Sequence, residues 1–284
     1  MADTDPVVLD GASEADQRIL SPAGGMALAY TCRAPDKQSD NEDAVAVLPC
    51  GEDAAVLAVA DGAGGLPGGR RASQTALASL GEAVAAALAG GQPMRSAILD
   101  GIEAANRAVL AIGAGSATTL TVVGIEGRDA RTYQVGDSEA LIVGQRGRIR
   151  AQTMAHSPTG FAVEAGFLDQ HDALHHEERH LVSNFLGTAD MRIDIGATVE
   201  LQALDTVLVA SDGLTDNLHG HEIIELIRKG PIEAAAAALT QLAAERMRTS
   251  DGSLPSKPDD LSLILFRKPP RRSKTAPAAA PGRG

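Results

Sequence analysis

The sequence predicts an α+β sandwich with helices outside two sheets, and three observations carry that reading. Strand-length apolar runs are followed by a pair of helical patterns, and this order occurs twice. The middle strands are joined by short links containing Gly127, Gly136, Gly144 or Gly147, as hairpins require. The chain has 284 residues, 44% of them apolar, enough to bury a core without staples.

The elements follow in order. Apolar runs at 26–32, 44–48 and 54–60 read as strands. Helical patterns at 69–89 and 93–112 come next. In the first, Ala72, Leu77, Leu80, Val84 and Leu88 fall on one stripe. Short strands are expected at 118–125, 131–135, 139–143 and 148–153, then a polar, histidine-bearing stretch at 155–190. Strands resume at 192–200 and 206–210. Helices follow at 220–228 and 231–247, the second with Pro231 where a first turn accepts proline. A last strand is expected at 261–267. No internal repeat or interior linker appears, so residues 25–267 read as one domain. Residues 1–24, rich in Asp, Gly, Ser and Pro, read as a flexible segment. Residues 268–284, Pro/Ala-rich with five basic residues and no acidic ones, read as a disordered tail.

Composition narrows the function. The net charge of −12 disfavours nucleic acid and anionic lipid as partners. Aromatics are 2% and tryptophan is absent, which argues against sites built on stacking. Cys32 and Cys50 are too few for a disulfide framework or a Cys-only zinc site, and two reduced thiols suit a cytoplasm. There is no basic, apolar leader and no apolar run of membrane length.

The informative feature is where carboxylates fall. Asp61-Gly62 follows the run 56–60, and Asp212-Gly213 follows 207–211. Asp137-Ser138 follows Val135-Gly136. Asn41-Glu42-Asp43 and Asp259-Asp260 stand directly before strands. One Asp-Gly is an ordinary turn. A set of buried strand edges each bearing a carboxylate is costly unless a cation or donors satisfy it. Divalent metal answers that economically. The glycines from Gly62 to Gly69 exceed what a turn uses and let backbone approach a ligand.

These blocks resemble the metal-dependent serine/threonine protein phosphatases of type 2C, in their bacterial form. Asn41-Glu42-Asp43-Ala44 looks like the family's NED block. Val59-Ala60-Asp61-Gly62-Ala63-Gly64-Gly65, with Ala72-Ser73 downstream, looks like VADGMGG followed by AS. Thr118-Thr119-Leu120, Val135-Gly136-Asp137-Ser138, Ser211-Asp212-Gly213-Leu214-Thr215-Asp216 and Asp259-Asp260-Leu261-Ser262 match its remaining blocks in order, over residues 26–267. The resemblance implies a four-layer α/β/β/α sandwich of two antiparallel sheets flanked by helix pairs. It implies two tightly bound Mn²⁺ or Mg²⁺ ions, direct attack by water on a phosphoprotein, and no covalent intermediate. By the same resemblance Asp61 bridges both metals and the Gly62 carbonyl binds one. Asp212 and Asp259 hold the other, and Asp137 helps bind a third, weaker ion. Glu42 and Asp43 orient water, and residues 155–190 form a flap. The partner implied is a phosphorylated protein, such as a serine/threonine kinase or its target.

One departure concerns phosphate. The family carries arginine four residues before the glutamate of the NED block, where this chain has Gln38. Lys37 beside it is the expected phosphate ligand, a point charge rather than a bidentate fork. That loss motivates an alternative, a pseudophosphatase acting as a binding module. A second alternative is a zinc peptidase through His176-Glu177-Glu178-Arg179-His180, with Glu200 as a third ligand. Weak apolar periodicity around those histidines favours ordinary flap residues instead. A dinucleotide loop at 62–69 fails because Pro67 stands where the last glycine belongs.

Overall fold

The computed structural model describes residues 5–10, 15–63, 68–113, 115–174, 176, 178, 181–249 and 254–269. The first sheet runs β1 (Val7–Leu9), β4 (Asp43–Pro49), β5 (Ala54–Asp61), β6 (Leu120–Glu126), β7 (Asp129–Val135) and β10 (Asp194–Ile195), with β11 (Val199–Glu200) also on β7. The second runs β2 (Asp16–Leu20), β3 (Met26–Cys32), β13 (Leu261–Arg267), β12 (Thr206–Ala210), β8 (Glu139–Val143) and β9 (Ile149–Gln152). The strand pairs are antiparallel. That excludes the parallel sheet a dinucleotide fold needs.

Period-two alternation explains the four layers. In β4, Val45 and Val47 pack between the sheets, while Ala44, Ala46 and Leu48 face α1 (Gly69–Ala89) and α2 (Met94–Ile112). In β12, Val207 and Val209 face inward, while Leu208 and Ala210 face α5 (Asp212–Thr215), α6 (Gly220–Ile227) and α7 (Ile232–Arg248). Strands covered on both faces read as unbroken apolar runs, which is why 54–60 and 206–210 were conspicuous in the sequence. The alanines facing α1 let Ala72 and Ala76 approach the first sheet closely.

Three expectations need correction. Residues 1–24, read as flexible, contain β1 on the edge of β4 and β2 on the edge of β3. Their ladders come from backbone groups, which composition does not report, and Leu9 and Leu20 anchor them at 4% and 2% exposure. The strand expected over 192–200 is two short ones, β10 and β11, parted where Gly196 turns onto Thr132. The tail does not start at 268. Lys268 is buried, its ammonium on the Gly127 carbonyl, and Arg128 holds the Pro269 carbonyl at 2.8 Å. Residues 270–284 lie outside the described residues.

The stretch 155–190 holds two short helices, α3 (Pro158–Glu164) and α4 (Gln170–Ala173). Its far end is anchored where Leu186 and Thr118 exchange backbone hydrogen bonds of 2.9 and 3.3 Å. His175, Glu177, Arg179 and His180 lie outside the described residues, so most of the H-E-x-x-H motif does too. Among the described residues no helix is long and apolar enough to cross a membrane.

Candidate active site

The site forms where inner faces of both sheets run out of apolar side chains. Val45 and Val47 of β4 and Leu57 and Val59 of β5 point between the sheets. Continuing the alternation puts Asp43 and Asp61 on the same inner face, and they are direct partners in the ladder. From the second sheet, Ser211 continues the inner face of Val209, and Ser262 that of Ile264. The hydroxyls of Thr31 and Ser262 pair at 2.7 Å, and Asn41 Nδ2 donates to Thr31 Oγ1 at 2.8 Å.

Asp61 is fixed by the strand beside it. Thr119 Oγ1 accepts from the Asp61 amide at 3.1 Å, and Thr118 Oγ1 donates to its carbonyl at 2.8 Å. Gly62 is glycine because there is no room for more. Its amide meets the Glu42 carbonyl at 3.2 Å, and a Cβ would lie 2.4 Å from the Gly69 carbonyl carbon. Asp137 rides the β7–β8 turn. Thr121 Oγ1 donates to the Ser138 carbonyl at 2.7 Å, and Thr119 and Ser138 hydroxyls meet at 2.8 Å. Asp212 opens α5 directly after β12. Gly213 beside it packs on β13, where a Cβ would lie 1.9 Å from the Asp260 carbonyl oxygen.

Electrostatics show that the carboxylates converge. Burial raises Asp61 well above the usual carboxylate range, and the charges of Asp43, Asp212, Asp259 and Asp137 raise it further. Burial, then Asp260, push Asp43 up to about 8 against the pull of the Ser211 and Ser262 hydroxyls. Asp137 is raised well above its usual value by burial, then by Asp212 and Asp216. Burial, then Asp212, raise Asp259 to about 6. Asp43 Oδ2 and Asp212 Oδ1 are buried without a hydrogen-bond partner. Oxygen donors, mutual repulsion and two orphaned buried oxygens suit a hard divalent cation.

Among the described residues, no three Asp, Glu, His or Cys side chains already surround one point as metal ligands do. An ammonium stands among three of them instead. Lys257 Nζ pairs with Asp212 Oδ2, with Asp216 Oδ2 at 3.0 Å and with Asp259 Oδ2 at 3.2 Å. Lys37, expected to face phosphate, is engaged too. Its Nζ lies 2.9 Å from Glu42 Oε2 and 2.6 Å from Asp260 Oδ2. Asp260 ties the 34–42 loop to β13. It also accepts from the amides of Ala34 at 2.8 Å and Glu42 at 2.7 Å.

The structure thus groups Asp43, Asp61, Asp137, Asp212 and Asp259 at one end of the sandwich, with Glu42 and Lys37 at the rim. Sequence reasoning assigned no role to Lys257, Asp216, Asp260 or His156. His156 clamps the Asp137 turn: its Nδ1 accepts from the Gly136 amide at 3.1 Å and from Asn184 Nδ2 at 2.8 Å. Those two bonds leave the proton on Nε2, which donates to Asp194 Oδ2 at 3.0 Å. A cavity of about 320 Å³ opens beside the cluster, reaching Asp137, Asp212, Asp216, Met154, Val163 and Leu174.

Comparison with known proteins finds a family and a shared fold. The model of the family described as protein phosphatase 2C matches residues 34–251. Protein phosphatase PhpP of Streptococcus pneumoniae is 30% identical over 199 residues, covering 67% of this chain and 80% of that protein. The PPM Ser-Thr phosphatase MsPP of Mycobacterium smegmatis, solved with cacodylate, superposes with a TM-score of 0.69 at 25% identity, over 90% of this chain and 99% of that one. The catalytic domain of the phosphatase PstP, solved with 2 manganese ions, shares the fold at a TM-score of 0.66 and 22% identity, over 93% and 99% of the chains.

Proposed function

The chain belongs to the protein phosphatase 2C family of phosphoprotein phosphatases, and from that premise we propose a metal-dependent hydrolysis of phosphoserine and phosphothreonine at the carboxylate cluster. The observation that supports it most is the convergence of Asp43, Asp137, Asp212 and Asp259 on Asp61, with carboxyls pushed up by burial and by one another's charge. In this reading Asp61, the Gly62 carbonyl, Asp212 and Asp259 hold two Mn²⁺ or Mg²⁺ ions, and Asp137 holds a third more weakly. Such ions, when bound, acidify water and offset charge on phosphoryl oxygens. Glu42 and Asp43 accept hydrogen bonds from the attacking water and orient it for in-line displacement. Two N–H groups of Lys37 serve Glu42 and Asp260, and its third donates to a phosphate oxygen. The cavity beside α3 receives substrate side chains flanking the phosphorylated residue.

The substrate is a phosphorylated protein, a serine/threonine kinase or its target, met in the cytoplasm where Cys32 and Cys50 stay free thiols. Release of phosphate from p-nitrophenyl phosphate and from a phosphothreonine peptide, with Mn²⁺ and with EDTA, tests the reading. Mn²⁺-dependent release that EDTA abolishes is expected. No release at saturating Mn²⁺ would leave a binding module in its place.

A further inference from the structure

The feature the proposed reaction does not use is the lysine inside its acidic cluster. Lys257 is not a surface side chain that happens to reach inward. Its backbone is pinned on both sides by one amide: its N–H donates to Asn217 Oδ1 at 2.8 Å, and its carbonyl accepts from Asn217 Nδ2 at 2.9 Å. Asn217 is fully buried, and its Nδ2 also donates to the Gly213 carbonyl, at 2.9 Å. Gly213 directly follows Asp212, so one side chain fixes both the lysine and the aspartate it meets. The ammonium donates to Asp212 Oδ2 and makes ion pairs with Asp216 Oδ2 at 3.0 Å and Asp259 Oδ2 at 3.2 Å.

We propose that Lys257 is a tethered cation that competes with divalent metal for the Asp212, Asp216 and Asp259 carboxylates, so that metal enters only as this side chain swings away. The inference rests on the metal reading above. Two cations cannot share the same carboxylate oxygens. The ammonium is already in place at high effective concentration, because its backbone does not diffuse. A divalent ion brings twice the charge and wins when its concentration is high enough. The chain therefore keeps its acidic cluster compensated without metal, at the cost of weaker metal affinity. Lys257 is a positioning group here and touches no substrate.

Isothermal titration of the metal-free, full-length protein with MnCl₂ tests this, comparing wild type with Lys257→Met and Lys257→Gln. Both variants are expected to bind Mn²⁺ about ten-fold tighter or more. Both should melt lower in EDTA and gain more Tm from Mn²⁺ than wild type does. A measurement on wild type needs no variant: acetylation of lysines by an amine-reactive ester, followed by peptide mass spectrometry. Lys257 should be protected in EDTA and become reactive once Mn²⁺ is added. Unchanged Mn²⁺ affinity in both variants, or Mn²⁺ binding without exposure of Lys257, overturns the competition and leaves the metal reading intact. No Mn²⁺ binding in any of the three proteins overturns both readings.

Discussion

Asp43 and Asp61 stand directly opposite each other in the β4–β5 ladder, both turned toward the second sheet. Like charges directly opposite destabilise a strand pair. Asp43→Asn should therefore raise the Tm of the metal-free protein while lowering phosphate release and Mn²⁺ affinity. Asp61→Asn and Asp212→Asn should abolish phosphate release and weaken Mn²⁺ binding in a folded protein, because neutral amides replace charged hard ligands. Thermal melts in EDTA and titration calorimetry check both; unchanged two-site Mn²⁺ binding in Asp61→Asn would remove it from the proposed metal ligands.

The metal-free protein should lose stability as pH rises. Asp43 titrates near 3.8 when unperturbed and near 8 in the fold, so the unfolded chain releases this proton first. Between those values the native state binds more protons than the unfolded one, and stability falls with increasing pH. Asp61 and Asp137 are shifted in the same direction. Melting in EDTA should give a higher Tm at pH 5 than at pH 8, and a flat profile over that range would contradict the convergence of charge.

Asp137→Ala should lower turnover and leave the two tight Mn²⁺ sites intact. The Asp137 turn is held by Thr119, Thr121 and His156 rather than by the Asp137 side chain, so the substitution should spare the fold. Turnover across a Mn²⁺ titration is the measurement. Wild-type turnover at low millimolar Mn²⁺ would make Asp137 an ordinary turn residue.

Lys37→Ala should raise KM, because the donor proposed for phosphate is gone. It should also lower stability by about 1–3 kcal/mol, since a buried carboxylate loses its charged partner. Asp260 is that carboxylate, 2% exposed. Gln38→Arg adds a bidentate fork beside it and should lower KM several-fold. Steady-state kinetics decide, and an unchanged KM in Lys37→Ala would end its role with phosphate.

Gly62→Ala should destabilise the protein by roughly 1–3 kcal/mol through overpacking. The new Cβ would lie 2.4 Å from Gly69 and 2.7 Å from the Glu42 carbonyl oxygen, both backbone atoms that cannot turn aside. Chemical denaturation checks the stability, and Mn²⁺ titration should show weakened binding as the Glu42 and Asp61 strand ends are forced apart.

The sequence by itself determined strands β3 to β9, β12 and β13, the helices α1, α2, α6 and α7, and the carboxylates that end the strands. All are local signals. A strand buried on two faces must be apolar throughout, and an aspartate following such a run, as Asp61 follows Val59-Ala60, stands out by contrast. The tertiary structure alone decided which groups neutralise those carboxylates. Lys257 looks like a loop lysine until Asn217, 40 residues away, pins it beside Asp212. Lys37 reads as a free phosphate ligand until Asp260, 223 residues away, claims it. β1 and β2 likewise form only because β4 and β3 offer edges. Charge pairing and edge pairing depend on distance in space, and a linear pattern carries no record of it.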